Sequence, residues 1–117
     1  MRMWMVDPSI LCQQHLLGEH VECHMFLGHL RKGRRVDGYI DNDLFEPLSL
    51  EERHNELAEE MERRGMHHQS PLKVKNELEY LPASQRAHVV NSFNSRAELL
   101  RRCPECKRRG NHGNHSS

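Results

Sequence analysis

One run, residues 8–31, restricts the fold more than any other part of this 117-residue chain. Asp7 is a suitable helix N-cap, Pro8 fits the first helical position, and Gly33 is placed to end a helix near Arg31. At about 100° per residue, one face of this helix collects Cys12, Leu16, Cys23, Phe26, Leu27 and Leu30. A second face collects Ile10, Leu17, Val21 and Met25. Because a helix that is apolar on two faces must be covered on both, we expect it to cross the middle of the protein.

A narrow polar stripe separates the two apolar faces, and it is where we expect chemistry. The stripe holds His15, Glu19, Glu22 and His29. Ahead of the helix, residues 1–4 read as a short extended arm that carries Arg2 and begins with a free amine. α-Amino groups in general titrate near ~7.7–8.0 and lysine side chains near ~10.4, so an N-terminal amine is a ready nucleophile at neutral pH. An amine, a positive charge and a carboxylate together suit imine-forming cleavage of a glycosidic bond.

The rest of the chain predicts two more main helices. Ser49 and Glu52 form a capping box for a second helix that should end at Gly65. A third helix is predicted from about residue 84 to 103, where Pro104 blocks its continuation. Its apolar stripe would be Val89, Val90, Phe93, Ala97 and Leu100. We therefore predict an all-α single domain of three main helices with an extended N-terminal arm, in which residues 34–48 and 66–83 are connections.

The charge distribution favours a partner that carries phosphates. The formal net charge is zero, but residues 31–35 and the C-terminal segment are basic, while residues 41–62 are acidic. This pattern fits a protein that presents one basic side to nucleic acid, although an ordinary solvated surface is the alternative. No stretch approaches the ~20 apolar residues of a membrane span, and no signal peptide opens the chain. We expect a cytoplasmic monomer with reduced cysteines.

The end of the chain suggests a metal site. We divide the sequence into a helical domain, residues 1–102, and a basic Cys/His-rich tail, residues 103–117. Cys103 and Cys106 followed by His112 and His115 are the ligand types of a tetrahedral zinc site. The pair His67-His68 could instead complete it from the long connection, and a reduced CxxC with a disordered tail is the alternative. Four protein ligands leave no open position, so we expect such a zinc to be structural and catalysis to need no cofactor.

The first 66 residues resemble the pyrimidine-dimer DNA glycosylase family, the phage endonuclease V type. Met1-Arg2 match the family's N-terminal arm, Gln14-His15-Leu16 with Glu19 match the helix that follows, and Glu22 falls on the catalytic glutamate. The basic turn Arg31–Arg35 and the second helix up to Arg64-Gly65 also match, and Arg96 takes the place of a DNA-contacting arginine on the third helix.

The resemblance implies an endonuclease V-like fold and a DNA repair N-glycosylase with abasic-site β-lyase activity on double-stranded DNA. Met1 would supply the nucleophilic amine, since a bulky second residue should block removal of the initiator methionine, and Glu22 would be the acid/base. Arg2 would position the sugar or its phosphate, and His15 and Glu19 would orient Glu22 or contact the opened DNA. The remaining DNA-binding residues would be Arg31, Lys32, Arg34, Arg35 and Arg96.

Two departures from the family limit what carries over. Val21 and Met25 stand where the family has arginines that grip kinked DNA, and the tyrosine-rich C-terminus is replaced by the Cys/His tail. Specificity for pyrimidine dimers therefore does not transfer. Two other functions stay open: a non-catalytic, zinc-stabilised nucleic-acid-binding module, and a metal-dependent nuclease that uses some of the chain's ten histidines.

Overall fold

A computed structural model describes residues 1–67 and 70–115, with side chains as far as Asn111. In this part of the chain there are helices and no β-strand, which confirms the predicted all-α fold. The helices are α1 (Gln13–Arg31), α2 (Asp37–Asp41), α3 (Leu50–Arg63), α4 (Ala83–Arg86), α5 (Ser92–Arg102) and α6 (Pro104–His115), with 3-10 turns at Pro8–Ile10 and Pro47–Ser49. Across the described ranges, no helix has the length and apolar character needed to cross a bilayer.

The first helix begins later than predicted. The Asp7 carboxylate accepts a hydrogen bond from the Ser9 amide at 3.0 Å, and this cap supports a single 3-10 turn. The chain then becomes extended at Leu11 and Cys12 before α1 starts. The Arg64 guanidinium donates to the carbonyl oxygens of Pro8 and Leu11, at 3.2 and 2.7 Å. These long-range bonds satisfy carbonyls that a continuous helix would have used itself.

Only one of the two apolar faces predicted for α1 is buried. Leu16, Cys23, Phe26, Leu27 and Leu30 lie in the core, but Val21 and Met25 are 53% and 49% exposed. The prediction that both faces are covered is therefore wrong for these two residues. The reason lies in the packing of α3, which covers the side of α1 that carries Glu19 and His20.

A buried ion pair joins α1 to α3. The Arg53 guanidinium donates to both carboxylate oxygens of Glu19, at 2.6 and 2.9 Å, and to the carbonyl oxygen of Val6 at 2.7 Å. Both side chains are at most 2% exposed. The Glu19 carboxylate is therefore enclosed in the protein and satisfied by arginine, and its role in orienting Glu22 or contacting the opened DNA stays a prediction.

This pair yields a stability prediction. Glu19→Gln leaves the Arg53 charge buried without its partner, so we expect a loss of about 3–5 kcal/mol in the free energy of unfolding, measured by urea denaturation. Glu56→Gln is the matched control: Glu56 also faces Arg53, at 3.6 Å, but is 47% exposed. That change should cost no more than about 1 kcal/mol. Equal losses in the two variants would contradict the prediction.

The second helix is found within a residue of its predicted bounds, but its predicted capping box is wrong. Ser49 makes no cap bond, and its hydroxyl donates instead to the Glu46 carboxylate. Upstream, the connection predicted for residues 34–48 contains the short helix α2. The acidic residues Glu51 and Glu52 in the first turn still complement the positive end of the α3 dipole.

The predicted third helix, residues 84–103, is divided into α4 and α5, and α6 follows it in the segment predicted to be a tail. The Asn91 side chain caps α5 by accepting from the Asn94 amide at 3.0 Å, and the extended Cys103 ends it. The apolar stripe predicted for this helix is wrong at Val89 and Phe93, which are 69% and 80% exposed. Ser95 and Leu99 are the residues that α5 buries.

The C-terminal helix brings the two ends of the chain together. α6 packs on α5 and on the Pro8–Ile10 turn. Gly110 lies at the contact with α5, where an added Cβ would be 3.4 Å from a methyl carbon of Leu100. Arg109 donates to the carbonyl oxygen of Ser9 at 3.1 Å. The segment predicted to be a tail therefore forms a helix against the Pro8–Ile10 turn, while the division at residue 102 stays a prediction.

Candidate functional site

The N-terminal arm is held firmly in the protein. The Met3 amide donates to the carbonyl oxygen of Leu44 at 2.7 Å, and the Ser95 hydroxyl donates to the carbonyl oxygen of Trp4 at 2.6 Å. Met3 and Trp4 belong to the hydrophobic core. These contacts hold the arm in place two residues from the Met1 amine.

The amine lies beside the carboxylate of Glu22. The Met1 nitrogen is 3.6 Å from Glu22 Oε1, and the Arg2 amide donates to the same oxygen at 2.8 Å. The Glu22 side chain is 28% exposed, so it is reachable from solvent while being oriented by the arm. The arrangement brings the N-terminal amine and a carboxylate side by side at one point of the surface.

Arg2 is positioned by stacking and by charge. Its guanidinium lies 3.6 Å from the centre of the Trp4 ring, a cation–π contact. It also contacts the Glu98 carboxylate. Glu98 in turn lies 3.4 Å from the guanidinium of Arg102, one turn further along α5. The carboxylate of Glu98 therefore holds two arginines on one wall of the site.

These groups surround an open cleft of about 560 Å³. The volume is within the range of about 300–1,000 Å³ that is typical of ligand sites. The cleft is lined by Met1, Arg2, Trp4, His15, Glu22, Asn42, Leu44, Glu98 and Arg102. The structure thus brings together four residues chosen from the sequence: Met1, Arg2, His15 and Glu22.

The other predicted DNA-binding residues lie elsewhere. The basic cluster of Arg31, Lys32, Arg34 and Arg35 is exposed at the far end of α1, where it is not part of the cleft lining. Arg31 lies nine positions after Glu22 along α1, a distance of about 14 Å at the helical rise. Arg31 pairs with Glu77 at 3.2 Å, and Arg35 pairs with Asp37 at 2.6 Å. Arg96 is half-buried beside Gly110, where α5 meets α6.

Sequence reasoning missed several cleft residues, namely Trp4, Asn42, Leu44, Glu98 and Arg102. For Trp4, and for Glu98 together with Arg102, the sequence contains a pattern that could have identified them. Trp4 is the only tryptophan in the chain and stands two residues after Arg2, a spacing that allows stacking in an extended arm. Glu98 and Arg102 have the i,i+4 spacing of a helical ion pair. Asn42 and Leu44 come from the connection after α2 and left no such signal.

A group of cysteine and histidine side chains adjoins the cleft. The potential ligand atoms of Cys12, His15, Cys103 and Cys106 all lie within 4.8 Å of one another, and such a group could hold a metal ion. The sequence predicted Cys103 and Cys106 for this role. The side chains of His112 and His115, which were predicted to complete the site, are outside the described part of the chain, as is His68.

The cysteines of this group differ in acidity. Burial raises the pKa of the Cys106 thiol to about 12. Burial also acts to raise the pKa of Cys103, but hydrogen bonds from the Cys106 amide, the Cys106 thiol and Cys12 outweigh it, and its pKa lies below the usual range. Cys103 is therefore the more acidic thiol of the pair.

A second histidine group lies between α1 and α3. The rings of His20, His24 and His54 are within 4.7 to 5.1 Å of each other, centre to centre. The His54 ring nitrogens lie 2.9 Å from the Ser70 carbonyl oxygen and 3.0 Å from the Asn55 side-chain oxygen. Because both nitrogens of His54 have protein partners, this group is described most simply as a polar helix–helix contact.

Comparison with known proteins gives one match. Residues 1–74 match the sequence model of a family described as pyrimidine dimer DNA glycosylase. No curated protein and no solved structure matches the chain. The matched range contains the N-terminal arm, α1 and α3, and therefore the amine and Glu22. It ends before α5 and α6, which supply Glu98, Arg102 and two of the cysteines.

Proposed function

The chain belongs to the pyrimidine dimer DNA glycosylase family, and we propose that it removes a base from double-stranded DNA and then cuts the strand through an imine formed with its N-terminal amine. The observation that carries this proposal is the position of the Met1 nitrogen, 3.6 Å from Glu22 in an open cleft. In this proposal Met1 is the first residue of the working protein, which acts as a monomer in the cytoplasm.

In the first step, the bond from C1′ of the sugar to the base is replaced by a bond from C1′ to the Met1 nitrogen. The neutral amine attacks C1′ of the deoxyribose, and the bond from C1′ to the base breaks. The attacking nitrogen gives up two protons in turn: the first leaves with the base, and the second goes to the ring oxygen as the ring opens. Opening of the sugar ring then gives an imine between Met1 and C1′. The Glu22 carboxylate can take the proton that the amine loses and deliver a proton to the ring oxygen, while its charge stabilises positive charge on the sugar.

The second step breaks the strand. Loss of a proton from C2′ of the imine, taken up by Glu22, expels the 3′ phosphate by β-elimination. Hydrolysis of the remaining imine regenerates the amine. Because the reacting C1′ must enter the cleft, the nucleotide has to be turned out of the duplex or the helix has to be kinked.

The arginines and lysines proposed to bind DNA lie in two places, inside the cleft and on the exposed surface after α1. Arg2 and Arg102 lie in the cleft, where they suit the phosphate beside the reacting sugar. The exposed basic cluster after α1 is placed to contact the backbone further along the duplex. Between these regions α1 exposes Val21 and Met25. The proposal does not extend to excision of pyrimidine dimers. Val21 and Met25 stand where the family has arginines, and apolar side chains cannot bind the phosphates of kinked DNA.

The amine and the carboxylate supply every step above, so the proposed chemistry uses no cofactor. A zinc ion at the Cys/His group would be structural. That group also favours the second candidate function, a zinc-stabilised module that binds nucleic acid without cutting it. The two functions differ in one property, since only the enzyme forms a covalent link to DNA.

Reductive trapping tests the proposal. The protein is incubated with a duplex that contains one abasic site, in the presence of sodium borohydride, which reduces an imine to a stable amine. We expect a covalent protein–DNA complex in which peptide mass analysis places the sugar on the Met1 nitrogen. A panel of damaged-base duplexes then tests base excision. Binding of DNA without any trapped complex would overturn the enzyme and support the module.

A further inference from the structure

The Cys/His group lies where the two ends of the chain meet. Cys12 is the N-cap residue of α1, and His15 follows in its first turn. Cys103 ends α5, and Cys106 lies in the first turn of α6. Each pair is separated by two residues, the spacing with which short knuckles hold zinc. Neither pair can enclose a metal alone, so the site depends on α6 packing against the start of the chain.

The distances suit tetrahedral coordination. Zn–S bonds of about 2.3 Å and Zn–N bonds of about 2.0 Å at tetrahedral angles place two sulfurs about 3.8 Å apart and a sulfur and a nitrogen about 3.5 Å apart. The Cys12 and Cys103 sulfurs are 3.8 Å apart. His15 Nδ1 is 3.2 Å from the Cys12 sulfur and 3.6 Å from the Cys106 sulfur. A disulfide needs sulfurs about 2.05 Å apart, so the cysteines are not bonded to one another.

Backbone amides supply the outer contacts that metal-bound sulfurs use. The Cys12 amide donates to the Cys106 sulfur at 3.2 Å, and the Cys106 amide donates to the Cys103 sulfur at 3.4 Å. The thiolate is the form that binds metal, and backbone donors are the usual outer contacts that orient a metal-bound sulfur. Cysteines that only filled space in the core would have no reason to turn three sulfurs and a ring nitrogen toward one point.

We propose that Cys12, His15, Cys103 and Cys106 bind one structural zinc ion that fastens α6 to the start of α1. Three sulfurs and one nitrogen complete a tetrahedron and leave no open position. This ligand set replaces the tail histidines of the sequence prediction with two residues from the N-terminal helix.

The proposed zinc site also borders the cleft that holds the Met1 amine. His15 belongs to both, and Arg102 in the cleft wall is next to Cys103 in the sequence. The His15 ring meets the Trp4 ring edge-on, with centres 5.9 Å apart, and Trp4 carries the stacked guanidinium of Arg2. Bound zinc would therefore hold two sides of the cleft in place, the side with Trp4 and Arg2 and the side with Arg102. The effect of zinc on DNA cleavage rests on the proposed function, whereas the binding of zinc does not.

The first test uses the unaltered full chain. Elemental analysis of protein purified without added metal is expected to give about one zinc per chain. After removal of the zinc with a chelator, Co²⁺ should produce the visible absorption of a tetrahedral site together with thiolate-to-cobalt charge-transfer bands. Added zinc should abolish both. Protein that neither contains zinc nor gives these bands overturns the proposal, and this test requires no variant to fold.

Variants then identify the ligands. Cys12→Ser and His15→Gln are expected to lose most of the bound zinc and to lower the melting temperature. Cys23→Ala is the matched control, because Cys23 is the fourth cysteine and lies in the core outside the group. It should keep a full complement of zinc. A double variant, His112→Gln with His115→Gln, should also keep it; loss of metal there, with retention in His15→Gln, would overturn the proposed ligand set.

The failures of the two proposals can be told apart. Zinc stoichiometry and cobalt spectra report on the site whether or not the protein cuts DNA, while borohydride trapping reports on the amine whether or not zinc is bound. If zinc supports the cleft, removal of zinc should reduce the rate of abasic-site cleavage at least tenfold, and added zinc should restore the original rate. Cleavage that is unchanged in the metal-free protein would overturn the coupling.

Discussion

A protein with one residue added ahead of Met1 is expected to lose abasic-site cleavage by more than about 10³-fold, because the Met1 nucleophile is lost and the new terminal amine lies one residue further from Glu22. The added residue converts the Met1 amine into an amide, which has no lone pair available for attack on C1′. The Met1 nitrogen would also leave its position 3.6 Å from Glu22. The measurement is single-turnover cleavage of an abasic-site duplex, with borohydride trapping of the same samples.

The matched control for this experiment is the same molecule after the extension is removed. A protease that cuts directly before Met1 restores the original terminus without any other change. Cleavage and trapping should then return to the level of the unmodified chain, and circular dichroism should show equal helix content throughout. If the extended protein cuts and traps DNA as well as the restored one, the Met1 amine beside Glu22 is not required for the reaction.

Glu22→Gln is expected to lower the rate of base excision and strand cleavage by ~10²–10⁴-fold, since it removes one acid/base group. Glutamine retains a side-chain oxygen that can accept the 2.8 Å hydrogen bond from the Arg2 amide, so the arm should stay in place. DNA affinity, measured by fluorescence anisotropy, should change little. The amine itself remains, so a slow residual trapping reaction is consistent with the assignment.

Glu52→Gln provides the control for the same chemical change. Glu52 is an exposed residue in the first turn of α3 and is not part of the cleft lining. It should keep full activity. Near-normal turnover in Glu22→Gln would show that this carboxylate only holds the arm. A large loss of DNA affinity in that variant would instead assign Glu22 to binding.

The local signals in the sequence placed the elements around the cleft. The start of α3 was predicted correctly at Ser49, although the capping box does not form, and α1 ended where predicted because Gly33, at a φ of +64°, adopts a conformation that few other residues tolerate. Gly65 ends α3 in the same way, at +82°. The link between Met1, Arg2 and Glu22 could be predicted because the arm and α1 are joined by a short stretch of chain. The resemblance to a known family then gave the residues their roles.

Other features depended on contacts between distant parts of the chain. Helical spacing predicts which residues share a face, but the choice of the covered face is made by a second helix. α3 packs where Arg53 can meet Glu19, so Val21 and Met25 stay exposed although their spacing is that of a core face. The same limit applies to the Cys/His group. His15 lies among cysteines 88 and 91 residues away because α6 returns to the start of α1, and this approach depends on tertiary packing rather than on local sequence spacing.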